Sequence, residues 1–395
     1  MNIKNILGRN FGIFDNDLEL LNDQLADAIS GKNFLVIGGA GSIGSAVSIE
    51  IFKYKPNKLH IVDINENNLT ELVRNIRSSL GYIVGDFSTY AIDCGSHEFE
   101  RFINEKGPYN YVLNLSALKH VRSEKDSFTL SRMIDVNIIN TVKSLKFFDK
   151  DELIKYFSVS TDKANNPINM MGASKRIMEL VLLDSNYDFN ISTARFANVA
   201  FSDGSLLHGF TQRVMKKQPI SAPRDVKRYF ISAHESAQLC LLSTIFGNNK
   251  DIFFPRLNEN IKLTSFIEIL EKYLESIGYE IYECSSENEA RSNFSALIKH
   301  KQWPCFFFNS DTTGEKKFEE FYKSTDDVNY ENFSSIGVIK HVPNNNTIDL
   351  NQFISMINKI RNKNKFNKND YVSLFKKFLP DFDHLEKGKS LDERM

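Results

Sequence analysis

The stretch FLVIGGAGSIGS, residues 34–45, reads as a short apolar strand, a glycine turn and the opening of a helix. Phe34 to Ile37 supplies the strand, and helical spacing carries on through Ser45 to Tyr54. Gly38, Gly41 and Gly44 are spaced G-x-x-G-x-x-G rather than G-x-G-x-x-G, with Ser42 and Ile43 between the last two. The physics is the same for both spacings. Glycines let the backbone turn tightly and approach a pyrophosphate, and the helix N-terminus offers free N–H groups and a positive dipole end. The strand before the turn and the helix after it are the context this reading requires.

Outward from this turn, apolar runs and helical patterns alternate. Leu59–Val62 reads as the second strand, Tyr82–Val84 as the third, Tyr111–Leu115 as the fourth, Tyr156–Val159 as the fifth and Ile191–Phe196 as the sixth. Helical spacing fills 67–80, 131–148 and 170–183. This alternation predicts an α/β chain: a Rossmann-like, doubly wound parallel sheet with a smaller C-terminal substrate lobe. The expected division is a helical extension over 1–30, with Leu18, Leu21, Leu25 and Ile29 on one face, then a dinucleotide-binding domain over 31–200. Residues 201–395 form a partly interleaved substrate lobe and C-terminal extension, with helices near 234–246 and 264–277 and a strand over Trp303–Asn309.

The residues after each strand are the candidate ligand contacts, because ligands lie at the carboxyl ends of an open parallel sheet. Asp63 ends the second strand at the distance where an acid accepts hydrogen bonds from the adenosine ribose. No arginine follows it closely, so a 2′-phosphate would meet Asp63 and Glu66 without a counter-ion. NAD is therefore expected rather than NADP. Asp86 and Asp93 follow the third strand, and Asp93 with Cys94 is the expected adenine contact. Ser116 and Ala117 end the fourth strand, where small side chains let a cofactor lie against the backbone. Lys119 and His120 follow them and face either the substrate or solvent.

Bulk composition narrows the classes. The 395 residues are 42% hydrophobic, enough for a large core. Lys plus Arg total 49 and Asp plus Glu total 50, a balance that argues against nucleic acid or an anionic membrane surface as partner. Cys94, Cys240, Cys284 and Cys305 are far apart, which fits core thiols in a reducing compartment and neither a zinc site nor a disulfide framework. No run approaches the roughly 18 apolar residues of a membrane span, and a cytoplasmic protein is expected.

The chemistry concentrates in STDKANNPINMMGASKR, residues 160–176. A hydroxyl, a carboxylate and an amine (Thr161, Asp162, Lys163) follow the fifth strand, and Lys175 lies on the next helix. Met171 stands four residues before Lys175, where the Y-x-x-x-K pattern of short-chain dehydrogenases has its tyrosine. Together with GGAGSIGS, NLSALKHV, RFANV and RDVKRYF, this segment resembles the nucleotide-sugar 4,6-dehydratases of the extended short-chain dehydrogenase superfamily. It is most like the UDP-N-acetylglucosamine 4,6-dehydratases of bacterial polysaccharide and nonulosonic-acid synthesis, of the type without membrane spans. The resemblance covers roughly residues 33–250.

That resemblance implies C4 oxidation of a nucleotide sugar by NAD, loss of water across C5 and C6, and hydride return to C6, giving a 4-keto-6-deoxy sugar. It implies Asp162 as the acid for the leaving C6 hydroxyl, Lys163 as the base at C5, Thr161 on the C4 oxygen and Lys175 on the nicotinamide ribose. A lysine with a depressed pKa would suffice at C5, because the C4 ketone acidifies that proton. The Met171 thioether cannot take the C4 hydroxyl proton; Asp162, or Lys175 through water or Thr161, is expected to do so. Arg195, Asn198, Ser205 and Arg228 are the expected substrate contacts, with Gln212, Arg213 and Arg224 behind them. A homo-oligomer is implied as well. Two other readings are an epimerase, or a combined dehydratase and epimerase, and a non-catalytic nucleotide-binding protein.

Overall fold

A computed structural model describes residues 3–148, 152–184, 187–257, 261–311, 313, 314, 316, 318–340 and 348–388. Its main sheet contains β1 (Asn33–Ile37), β2 (Lys58–Asp63), β3 (Asp86–Ala91), β4 (Tyr111–Asn114), β5 (Lys155–Thr161), β6 (Asn190–Phe196), β7 (Asp251–Pro255), β8 (Val328–Asn329) and β9 (Ile336–Lys340). The spatial order is β8-β9-β7-β6-β5-β4-β1-β2-β3. Neighbours from β3 across to β7 pair in parallel; β9 and β8 complete the edge antiparallel. Strand order reverses at β1, so a crevice opens at the carboxyl ends of β1 and β4.

The central strands are near-continuous apolar runs because helices cover both faces. Side chains alternate across β1. Phe34 and Val36 enter one core with Val47 and Ile51, while Leu35 and Ile37 enter another with Met178 and Leu182. The helix Ser42–Lys53 packs on Ala233–Phe246 on the first face. The second face receives Met170–Asp184.

The third strand lies later than the apolar run suggests. Tyr82 and Val84 are exposed, and the pairing strand is the polar Asp86–Ala91. As an edge strand with one neighbour, it has little apolar demand. Asp86 consequently begins the strand instead of following it.

Residues 3–30 are built into the main fold. Leu25 and Ile29 of the helix Asp15–Ile29 are fully buried in the first core, a gain of about 1.5–3 kcal/mol each. Glu235 fixes the preceding turn, accepting from the Arg9 guanidinium at 2.9 Å and from Ile13 N at 3.1 Å. Three strands of the main sheet, β7, β8 and β9, come from the half after residue 200. A separate parallel sheet joins Glu280–Cys284, Gln302–Phe308 and Ile220–Pro223.

The C-terminal helices Leu350–Arg361 and Lys368–Phe378 pack on the face of Met170–Asp184 turned away from the sheet. Phe353, Ile357, Tyr371 and Phe375 share a core with Met133, Ile134, Met170, Met171 and Ile177. All four cysteines are buried and unpaired. Among the described residues no helix is long and apolar enough to cross a membrane.

Candidate active site

The glycine turn closes against the end of β4. Gly38 has φ +72°, and an added Cβ would come within 2.6 Å of Ser116 N; one on Gly44 would come within 2.2 Å of the Gly38 carbonyl. Both positions therefore require glycine. Gly41 is the N-cap of the helix beginning at Ser42, and Ile43 leans on the first core. Asp63 accepts from Ala40 N at 3.0 Å and from Asn65 N at 2.9 Å, which fixes its carboxylate beside the turn. Ser116 donates to Asn114 Oδ1 at 2.7 Å, and Cys94 Sγ lies 3.8 Å from Ser116 Oγ, with Ala117 next in the loop. These residues, expected as dinucleotide contacts, lie together around the glycine turn.

One of the acidic expectations changes. Asp86 sits at the amino end of β3, where it pairs with His60 Nε2 at 2.8 Å; this is the end of the sheet opposite the crevice. Asp93 follows β3 as expected, but it accepts from Arg132 at 2.8 Å and from Gly95 N at 2.9 Å, so its carboxylate already has two partners.

The Thr161–Lys163 loop continues directly from β5. Asp162 is buried, and one of its oxygens accepts from Thr161 Oγ1 at 2.8 Å, Lys163 N at 2.9 Å and Lys163 Nζ at 3.0 Å. Lys163 Nζ also donates to Asn198 Oδ1 at 3.2 Å. Burial opposes the ammonium, but the Asp162 and Glu319 carboxylates outweigh it and hold Lys163 above its ordinary pKa. The depressed pKa expected for a lysine base is thus reversed, because two carboxylates face this amine.

Lys175 behaves in the opposite way. Its amine donates to the Val159 carbonyl at 3.1 Å, and burial, only partly offset by Glu179, lowers its pKa to about 8. Met171 is buried in the core formed with the C-terminal helices. It is a packing residue there, with no hydrogen-bonding role to replace the phenol of a tyrosine.

Arg195 is not available to a substrate phosphate. It is 2% exposed, and its guanidinium binds Glu179 through two 2.9 Å bonds, Asn165 Oδ1 at 3.1 Å and the Phe321 carbonyl at 2.6 Å. Burial works against the charge of Glu179, yet Arg195 and then Arg176 hold its pKa at about 2. Ser205 caps the helix Leu206–Met215 by accepting from His208 N at 3.1 Å. Arg224 pairs with Glu283 at 2.7 Å. Arg228, by contrast, is buried and acts electrostatically on both Lys163 and Glu319. Lys119 is exposed and His120 half-buried on the loop after β4. That loop is tied to the catalytic helix through Asn137, which accepts from Leu118 N at 2.9 Å and donates to Ser174 Oγ at 2.9 Å. Asn137 sits in a π-helical turn, Asp135–Ile139, a distortion that recurs at functional sites.

The sequence reading also missed Glu319, which lies far along the chain in a segment without regular structure. It is buried, and its Oε2 has no hydrogen-bond partner among the described residues. Burial, reinforced by Asp162, raises its pKa, against the pull of Lys163, Lys316 and Arg228.

The sheet, the glycine turn and the Thr-Asp-Lys loop define an extended short-chain dehydrogenase/reductase of the nucleotide-sugar dehydratase and epimerase class. More narrowly, the chain belongs to the family described as polysaccharide biosynthesis protein, which matches residues 34–341. It is 28% identical over 287 residues to the capsular polysaccharide biosynthesis protein CapD of Staphylococcus aureus, covering 70% of this chain but only 46% of that longer protein. It is 26% identical over 251 residues to a UDP-N-acetylglucosamine 4,6-dehydratase (inverting) of Campylobacter jejuni, covering 61% and 71% of the two chains. A UDP-glucose 4-epimerase of Rickettsia rickettsii is 29% identical over 282 residues, covering 66% and 73%. In fold, the chain is similar to Pen from Bacillus thuringiensis, with a TM-score of 0.64, 17% identity, and 89% and 98% of the chains covered.

Proposed function

We propose that this protein is an NAD-dependent nucleotide-sugar 4,6-dehydratase acting on UDP-N-acetylglucosamine in surface-polysaccharide or nonulosonic-acid synthesis. The observation that carries the reading is the pair of buried Asp162 and half-buried Lys163, bridged at 3.0 Å beside Thr161 at the carboxyl end of β5. A simple C4 epimerase needs hydride transfer and one base at C4. An acid and a cation held together beyond that requirement suit elimination across C5 and C6.

The cradle fits NAD. Gly38 and Gly44 leave no room for a side chain where the turn closes, and the fixed Asp63 carboxylate suits ribose hydroxyls. NAD, when bound, supplies the acceptor and later the donor of the hydride. Lys175 would bind the ribose near the reacting carbon, and Thr161, whose hydroxyl donates to Asp162, would accept from the C4 hydroxyl. Thr161 passes the C4 hydroxyl proton to Asp162, to which it donates at 2.8 Å, and Asp162 gives it to the C6 hydroxyl, which leaves as water. With Asp162 neutral, Lys163 loses one of the carboxylates that raise its pKa, sheds its proton to solvent and takes the C5 proton that the C4 ketone acidifies; it returns that proton to C5 and regains its own when the pair reforms. Arg228 and Asn198 lie on the substrate side, where Arg228 suits a phosphate.

Purified protein incubated with UDP-N-acetylglucosamine and NAD is expected to yield a product lighter by one water. An isomer of unchanged mass would favour the epimerase reading, which the likeness to the Rickettsia rickettsii protein supports. An unaltered substrate at saturating cofactor would favour a binding protein without turnover.

A further inference from the structure

The loop between the short strand Asn198–Val199 and the helix Leu206–Met215 reaches back across the crevice to the glycine turn. Asp203 N donates to Ser42 Oγ at 2.9 Å, and Ser42 Oγ donates to the Asp203 carboxylate at 3.1 Å. Ser42 is the first residue of the helix that opens from the glycine turn. On the other lip, Gly204 lies flush against the loop after β4, where an added Cβ would come within 2.8 Å of His120 Nε2. The loop is stiff. Ser202 N donates to the Val199 carbonyl at 3.3 Å, and Ser205 N to the Ser202 carbonyl at 2.9 Å. Phe201 is held at φ +57°, a strained value for a bulky side chain, and its ring centroid lies 5.7 Å from that of Tyr273.

Asp203 is an anion with little compensation. Among the described residues, the Ser42 hydroxyl is the one hydrogen-bond donor to its carboxylate. His208 Nδ1 is 3.9 Å away but accepts from Gly204 N at 2.9 Å, so that nitrogen has no proton to offer. Burial lowers the pKa of Lys119 on the loop after β4, and the charge of Asp203 pulls it back up. The carboxylate thus stands beside two helix N-termini. It reaches that of Ser42–Lys53 through Ser42, and it lies two residues ahead of Ser205, the cap of Leu206–Met215. Both are places where negative charge is favoured.

We propose that Asp203 is a charged clasp coupling the two ligand seats: it ties this loop to the glycine turn, and the pyrophosphate of NAD and the diphosphate of a nucleotide sugar each displace it. The inference rests on the nucleotide-sugar reading given above, with Ser205 as a substrate contact. In the free protein Asp203 supplies the negative charge that both N-termini favour. Either ligand brings phosphate charge to the same region and repels the carboxylate. Opening the clasp costs free energy once. The ligand that binds first bears that cost, so the second binds more tightly, and the coupling is equal in both directions. An affinity measured for one ligand alone is weakened by the share of molecules whose clasp is closed.

The test measures NAD and UDP binding to the full-length protein by titration calorimetry, each ligand alone and each with the other saturating. Wild type is compared with Asp203→Asn and Asp203→Ala. Wild type should bind either ligand about 5–50-fold more tightly when the other is present. Asparagine keeps an acceptor for Ser42 and removes the charge. In Asp203→Asn each ligand alone should bind about 3–30-fold more tightly than in wild type, and the coupling should fall to about twofold or less. That gain should shrink as salt is raised. Asp203→Ala should behave in the same way. Equal coupling in wild type and Asp203→Asn overturns the proposal, as does weaker NAD binding in Asp203→Asn. So does a wild type in which neither ligand affects the other. Binding is read apart from turnover: a protein that binds both ligands with the expected coupling but converts no sugar sinks the dehydratase reading and leaves the clasp standing. If UDP does not bind wild type, the nucleotide-sugar reading fails and the NAD arm decides. Tighter NAD binding in Asp203→Asn then keeps the clasp on the cofactor seat, and unchanged binding overturns it.

Discussion

Met171 and Lys175 lie one helical turn apart yet serve different environments. The methionine is buried with Phe353 and Phe375 of the C-terminal helices, while the lysine amine reaches the Val159 carbonyl of β5. The position that holds tyrosine in the Y-x-x-x-K pattern is therefore a core position in this chain, and proton transfer must be found elsewhere.

Replacement of Met171 should register as packing. Met171→Leu conserves volume and should cost less than about 1.5 kcal/mol. Met171→Ala should cost about 2–5 kcal/mol, and Met171→Tyr should destabilise by about 1–3 kcal/mol through overpacking. Chemical denaturation measures all three. Tyrosine should not raise turnover; a gain there would show that the site still lacks a C4 base.

Asp162→Asn removes both a proton donor and the nearest counter-ion of Lys163. Water loss in a single turnover should drop by about 10²–10⁴-fold. Lys163, freed of one of the two carboxylates that raise its pKa, should titrate at lower pH. Turnover close to wild type would remove Asp162 from the mechanism.

The Arg195–Glu179 pair should dominate acid stability. Arg195→Ala leaves a buried carboxylate short of its main partner and should cost about 3–5 kcal/mol. Glu179 has a folded pKa of about 2 against an ordinary 4.5. Its contribution is therefore fully present above pH 4.5 and is lost as pH falls through about 2. Urea unfolding followed from pH 6 to pH 2 should show a shallower loss in the variant than in wild type.

Lys175 carries the opposite sign. Its folded pKa of about 8 lies below the ordinary 10.5, so the unfolded chain binds more protons between those values and stability rises with pH there. Lys175→Met should relieve a burial penalty on the order of 3 kcal/mol at neutral pH and at the same time weaken NAD binding. Thermal melts with and without NAD separate the two effects; a variant less stable without cofactor would contradict the first.

Much of this was legible in the sequence, wherever local pattern and burial agree. The apolar run Phe34–Ile37 and the glycines after it placed the crevice, and STDK placed the Asp162–Lys163 pair. The edge strand Asp86–Ala91 was not legible, because a strand with one neighbour needs few apolar residues. Arg195 was misread because an arginine after an apolar strand looks like a ligand residue; only the fold brings Glu179 and the Phe321 carbonyl to it. Glu319 had no signal at all, since nothing in its own segment announces that Asn169 and Leu385 clamp that stretch onto the catalytic loop.

The Ile168–Leu385–Gly314 contacts also bear on the order in which the chain assembles during its synthesis. The main sheet can assemble once residue 340 has emerged, but the start of the helix Met170–Asp184 stays uncovered until residue 385 is made. Contacts so distant in sequence form late, because loop closure must precede them. A nascent chain would thus hold a formed sheet and an open, unfinished catalytic loop, and the onset of turnover would mark the last event of folding.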